Sequence, residues 1–181
     1  MRPFARVSVT VQGGGRWKPV AVAAGLAMFV AALGASATDV GPWYQALHKP
    51  SWQPPDWLFG PAWTIILGLT AWSASLAWEA APSPDLQRKV VILFTVNALF
   101  HFAWSPLFFR WRRPDWAFYE VTFLWSSVLA IIIGVAPLSA LAAWLVVPYL
   151  LWVTFAAYLN LTVVRLNRPF GAQNQVVPGQ G

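Results

Sequence analysis

Residues 139–164 read SALAAWLVVPYLLWVTFAAYLNLTVV. The stretch carries no Asp, Glu, Lys, Arg or His. As a helix rising 1.5 Å per residue it would reach about 39 Å. The hydrocarbon core of a bilayer is about 30 Å thick, and roughly 20 apolar residues cross it. The segment therefore reads as a transmembrane helix. Working outward, four more apolar runs of similar length occupy 116–135, 90–109, 57–78 and 19–37. The expected fold is an all-α integral membrane protein, a bundle of five transmembrane helices over 19–167. A basic N-terminal tail, 1–18, and a Gly/Gln/Pro-rich tail, 168–181, are expected to be disordered.

The composition agrees with lipid as the solvent. Of the chain 58% is hydrophobic and only 10% is charged, against about 25% charged in soluble domains. The net charge of +6 does not point to nucleic acid, because the Arg and Lys residues sit at the ends of apolar runs rather than on one polar face. There is no cysteine, which excludes disulfides, thiolate metal sites and a Cys nucleophile. The first run also fits a signal peptide, with Ala35-Ser36-Ala37 in the cleavage position. Its length, and small residues at Ala23, Ala27, Ala31 and Ala35, favour a retained helix that packs closely.

Five spans place the first loop, the third loop and the C-terminus on one side, with Lys49, Arg110, Arg112, Arg113, Arg165 and Arg168. The other side has Arg2, Arg6, Arg16, Lys18, Arg88 and Lys89. Charges near span ends weigh most, and discounting Arg2 and Arg6 makes the loop side cytoplasmic.

Thirteen tryptophans exceed what interfacial anchoring needs. Trp17, Trp57, Trp78, Trp111 and Trp116 flank apolar runs, as interface residues do. Trp63, Trp104 and Trp152 lie inside runs, and Trp43 and Trp52 lie in a loop with Pro50, Pro54 and Pro55. Prolines stiffen that loop and suppress helix, so it reads as a lid with apolar contacts beneath. Polar groups inside a span need the bundle interior or a cavity. Asn97 and His101, four residues apart, share one helix face with Trp104 and Phe108. Pro148 is expected to kink the last span beside Trp152 and Phe155.

The loop string W-Y-x-x-L-x-K-P-x-W-x-P-P-x-x-x-F-x-x-x-W, from Trp43 to Trp63, resembles the TspO/MBR family, as do P-Y-x-x-W-x-x-x-A-x-x-L-N from Pro148 to Asn160 and Arg165-Leu166-Asn167. The likeness runs from about Ala31 to Asn167. It implies a usually dimeric five-helix membrane bundle with a pocket under the first loop. It also implies tetrapyrroles (protoporphyrin, haem) as ligands, sterols in some members, and synthetic flat aromatic compounds. By motif position Trp63 and Trp152 correspond to indoles implicated in porphyrin handling, and Tyr44, Trp52, Asn97 and His101 to other pocket or lid positions. Trp104 and Phe155 complete the aromatic wall. Two departures alter the pocket floor: the family commonly has Asn where this chain has His101 and Gln where it has Asn97, and Leu67 stands where an aromatic is common.

The expected function is that of a receptor or carrier for tetrapyrroles and similar flat apolar ligands, in a sensory or transport role. His48 or Lys49 would pair with ligand propionates, and neutral His101 could ligate haem iron. No cofactor is obligatory, since no cofactor box, metal cluster or nucleophile–base motif is recognisable. A light-dependent porphyrin-degrading enzyme and a regulatory membrane protein binding sterol-like ligands are the alternatives. The expected partners are the lipid bilayer, a hydrophobic small molecule and a second copy of the chain. The expected location is the bacterial cytoplasmic membrane, with the outer membrane as the other possibility.

Overall fold

The computed structural model describes residues 38–170, with Ala21 and Gly25 as isolated helical positions. The span expected at 19–37, the tail 1–18 and residues 171–181 lie outside this range, as do the alanine stripe and the cleavage motif.

All regular structure among the described residues is helical. A short α1, Pro42–Ala46, opens the loop, followed by α2 (Asp56–Ala80), α3 (Pro84–Ser105), α4 (Pro114–Val135) and α5 (Ala140–Asn167). The four long helices take up four of the five expected spans, and the fold is the all-α membrane bundle that the apolar runs predict. Pro84–Arg110, Pro114–Val135 and Ala140–Asn167 are long and apolar enough to cross a membrane. In α2, indoles, hydroxyls, Gly60 and Pro61 dilute the apolar character.

The helix ends follow local chemistry. The polar segment before α3 is shorter than its charge suggests, because Pro84 fits the first turn and the Ser83 hydroxyl accepts from Leu86 N at 3.4 Å. The charged residues 85–89 thus form the first turns of a helix rather than a loop. At the other end of α3, Pro106 lacks a donor and crowds the preceding turn. The chain widens there into a π-helical turn, Pro106–Arg110, in which Trp111 N donates to Pro106 O at 2.9 Å. Arg112 takes a left-handed φ of 54°. Arg113 then forks onto Asp115 at the start of α4. Ser139 caps α5 by accepting from Ala142 N at 3.2 Å. The helix continues through Pro148 to Asn167, beyond the expected end at residue 164.

Packing is strongest between α4 and α5. Their buried faces repeat at intervals of three and four: Val121, Leu124, Val128, Ile131 and Val135 on α4, with Ala142, Val146, Tyr149 and Val153 on α5. This is the spacing of near-parallel knobs-into-holes seams. α3 lies on α4, α2 lies on α5, and α2 meets α3 only sparsely.

Hydroxyls inside the bundle are satisfied, as hydrocarbon requires. Thr70 donates to Ile66 O at 2.8 Å and Ser75 to Ala71 O at 3.1 Å. Ser73 donates across the bundle to Ala142 O at 2.7 Å. Trp125 Nε1 donates to Thr154 Oγ1 at 2.9 Å. With its amide set to satisfy both groups, Asn160 donates to Pro114 O and accepts from Phe118 N, each at 3.0 Å.

Candidate ligand-binding site

Where α2 and α3 part, aromatic rings fill the gap. Trp63 of α2 stands edge-on to His101 of α3 with centroids 4.7 Å apart. It meets Tyr149 of α5 at 5.9 Å and Trp152 at 6.2 Å. Phe59 and Phe155 flank Trp152 at 5.8 and 5.4 Å. Edge-to-face packing of this kind is favourable beyond the area buried. Beside it, between α2 and α5, lies an open groove of about 390 Å³ lined by Ala62, Ile65, Ile66, Pro148, Leu151, Trp152 and Phe155, with Ile65 and Leu151 exposed on its rim. Its size suits a small ligand and its walls are apolar.

The polar groups at the enclosure come from three helices. Tyr149 OH and His101 Nδ1 lie 3.1 Å apart. Asn97 donates to Ser127 Oγ at 2.9 Å and also lies beside the Tyr149 hydroxyl. The indole N–H groups of Trp104 and Trp152 are buried with no hydrogen-bond partner among the described residues. Such donors are costly to leave unpaired in hydrocarbon, and a ligand acceptor could satisfy them.

The loop covers one end of the bundle. Trp43 and Tyr44 rest on Phe108 and Phe109 at 6.1 and 5.5 Å. Trp52 stacks on Tyr158 at 5.3 Å and meets Phe155 edge-on at 6.0 Å. Polar clasps hold these contacts. Tyr44 OH donates to Asp56 Oδ1 at 2.9 Å, and Gln53 Nε2 reaches both groups at 3.1 Å. Burial and the neighbouring carboxylate push the Tyr44 phenol up to about 12. Lys49 Nζ sits 3.6 Å above the Tyr44 ring centroid, a cation–π contact. At the end of α5 the Asn167 amide accepts from His48 N and donates to His48 O, both at 2.8 Å.

The expected residues therefore fall into three groups. Trp63, His101, Trp152 and Phe155 come together in the enclosure, with Asn97 joined to it through Tyr149. Trp104 stacks on Phe108 at 5.0 Å and bridges the loop side to the core cluster against which Trp63 and Trp152 also pack. Tyr44, Trp52, His48 and Lys49 belong to the loop, where His48 is held by its backbone and Lys49 by the Tyr44 face.

Sequence reasoning quoted Tyr149, Phe59 and Asn167 within motifs but gave them no place in the site, and it did not single out Glu120. Tyr149 was legible from its place three residues before Trp152, on the same helix face. Glu120 is the one charged residue in 116–135, which is itself a signal. It is 9% exposed, and neither carboxyl oxygen has a partner among the described residues.

The sequence profile of the TspO/MBR family matches residues 20–166. The chain belongs to the TspO/MBR family. Relatives include the tryptophan-rich protein TspO of Chlorobaculum tepidum, 35% identical over 125 residues, which covers 69% of this chain and 79% of that protein. The tryptophan-rich sensory protein of Cereibacter sphaeroides is 35% identical over 144 residues, 77% of this chain and 89% of its own. The human translocator protein is 34% identical over 128 residues, covering 69% and 75%. With family membership and its membrane-length helices, the chain is an integral membrane protein of the TspO/MBR type.

Proposed function

We propose that this TspO/MBR protein binds tetrapyrroles such as protoporphyrin or haem, and similar flat apolar ligands, beneath its first loop, as a receptor or carrier with a sensory or transport role. The observation that carries the reading is the cluster of Trp63, Trp152, Tyr149 and His101 beside an open apolar groove of about 390 Å³. A planar macrocycle inserted there would exchange ring-on-ring contacts for its own stacking on the indoles. The Trp152 N–H, without a partner among the described residues, would meet a ligand acceptor. Apolar burial supplies about 25 cal/mol per Å² before the costs of association.

Loop and ligand act together in this reading. The clasp through Asn167 and Asp56 closes the pocket, and opening it admits or releases the ligand. Propionates at the loop end would draw Lys49 from the Tyr44 ring. Iron ligation by His101 would use Nε2 and require the other tautomer, in which Nδ1 carries the proton and donates to the Tyr149 hydroxyl. A ferric haem spectrum unchanged in His101→Ala would remove that part of the proposal. The names of the relatives, sensory protein and translocator protein, suit a protein that reports or moves such a ligand. We place it as a homodimer in a bacterial cytoplasmic membrane, with the loop face inward.

Titration of detergent-purified protein with protoporphyrin IX, read by quenching of Trp fluorescence, tests the reading. Saturable quenching at micromolar concentrations or below is expected. Linear quenching without saturation would mean partitioning into the micelle and would overturn it.

A further inference from the structure

The contact between Tyr149 and His101 is more than a packing bond in its chemistry. The phenol is 1% exposed and its hydroxyl lies 3.1 Å from Nδ1 of the imidazole. Asn97 lies beside the same hydroxyl while its amide donates to Ser127 Oγ, and the pair takes the arrangement in which the phenol donates to Nδ1 of His101. The imidazole is then the tautomer with its own proton on Nε2. A phenol that loses one electron becomes strongly acidic, and in a dry interior its proton must pass to a neighbour already in place. Trp63 touches His101, Tyr149 and Trp152, so the rings run without a gap from the pocket wall to the phenol.

We infer that Tyr149 and His101 form a proton-coupled redox pair, with Trp63 as the relay that carries an electron from Tyr149 to an oxidant in the pocket. Trp63 gives one electron to a photo-excited aromatic macrocycle, which becomes its radical anion. The indole radical cation then takes one electron from Tyr149. The Tyr149 O–H proton moves to Nδ1 of His101 in the same event. The products are a neutral Tyr149 phenoxyl radical, an imidazolium and a restored indole, and charge and protons balance. The site would thus hold an oxidising equivalent away from the ligand. The macrocycle as oxidant rests on the proposed tetrapyrrole pocket; the pair itself does not. The other tyrosines lack this arrangement. Tyr119 and Tyr158 are exposed, and Tyr44 meets a phenyl ring rather than an indole.

The test uses full-length protein in lipid nanodiscs, flash-oxidised with ruthenium(II) tris-bipyridine and persulfate and trapped for electron paramagnetic resonance. The wild type should give a neutral phenoxyl radical. Tyr149→Phe should lose most of that signal. His101→Gln, which keeps a polar side chain without a base, should leave an indolyl radical in its place. Phenoxyl formation should slow severalfold in D₂O in the wild type, a readout that needs no variant to fold. A phenoxyl yield equal in wild type and Tyr149→Phe, or unmoved by both His101→Gln and D₂O, would overturn the inference. Illumination with protoporphyrin IX runs in parallel. A radical with ruthenium but none with protoporphyrin supports the pair and counts against the tetrapyrrole as its oxidant. No phenoxyl with either oxidant overturns the pair and leaves the pocket to the binding titration.

Discussion

Two of the seams between the described helices are made of different material. The α4–α5 seam is aliphatic. Val121, Val128, Ile131, Val135, Val146 and Val153 are each at most 1% exposed, and they interlock at three- and four-residue spacing. The seam where α2, α3 and α5 converge is aromatic, with Trp63, His101, Tyr149 and Trp152 meeting by their edges. Branched aliphatic chains have few rotamers and fill a helix interface without gaps. Flat rings meeting edge to face leave wedge-shaped space, and an open apolar groove lies beside them. The difference suggests a division of labour in which the aliphatic seam fixes the scaffold and the aromatic seam can part for a ligand.

The largest expected effect lies in the aliphatic seam. Val128→Asp would bury a carboxylate where no counter-ion is placed, at more than about 3 kcal/mol. Loss of the folded peak in size-exclusion chromatography is the expected result, and a folded variant of unchanged Tm would break the comparison. Next in size is the loop clasp that closes the aromatic side. Asn167→Ala removes both bonds to the His48 backbone and the bond to Val163 O. At about 0.5–1.5 kcal/mol net per bond, amide exchange over 43–55 should quicken by about tenfold or more, while the helix cores stay unchanged.

A smaller effect is expected from alkaline pH. The Tyr44 phenol in the fold lies above its ordinary 10, near 12. Its contribution to loop docking is therefore complete below pH 10 and is lost as pH rises through about 12. Trp fluorescence of the loop should change in that window in the wild type and stay flat in Tyr44→Phe. The smallest effect is expected at Gly134, where an added Cβ would come 2.5 Å from Leu93 Cδ1. That atom is the tip of a flexible side chain, and alanine gains up to about 1 kcal/mol of helix propensity. Gly134→Ala should shift Tm by no more than about 3 °C; a large drop would show this part of the α3–α4 contact to be as unyielding as the valine seam.

Much of this was legible in the sequence, for reasons that can be named. The uncharged run 139–164 and its neighbours made the helices readable, because lipid leaves a long apolar helix few alternatives. Helix ends were less readable. α3 begins at Pro84, inside a charged segment that hydropathy assigns to a loop, because a serine cap and an N-terminal proline set it. The loop's helix Pro42–Ala46 was hidden by the prolines that follow it. Trp63, His101 and Trp152 could be singled out because indoles and imidazoles deep in apolar spans need a reason. Their mutual contacts could not, since these depend on how three helices turn toward one another. Tyr149 stood in the motif from Pro148 to Asn160 without a site role, because its contact with His101 depends on how two helices face each other. Asn167, named with Arg165 and Leu166, had no legible role because its partner, the His48 backbone, lies 119 residues away and leaves no side-chain signature.

The central claim is that the aromatic seam, and not the general wealth of indoles, makes the binding site. The most direct measurement compares two double variants in the protoporphyrin titration. Trp63→Phe/Trp152→Phe alters the enclosure, whereas Trp72→Phe/Trp144→Phe removes two indoles that are 53% and 70% exposed. Affinity is expected to fall by about tenfold or more in the first, equivalent to roughly 1.4 kcal/mol, and to stay at the wild-type value in the second. Equal affinities in all three proteins, or an equal loss in both variants, would contradict the account.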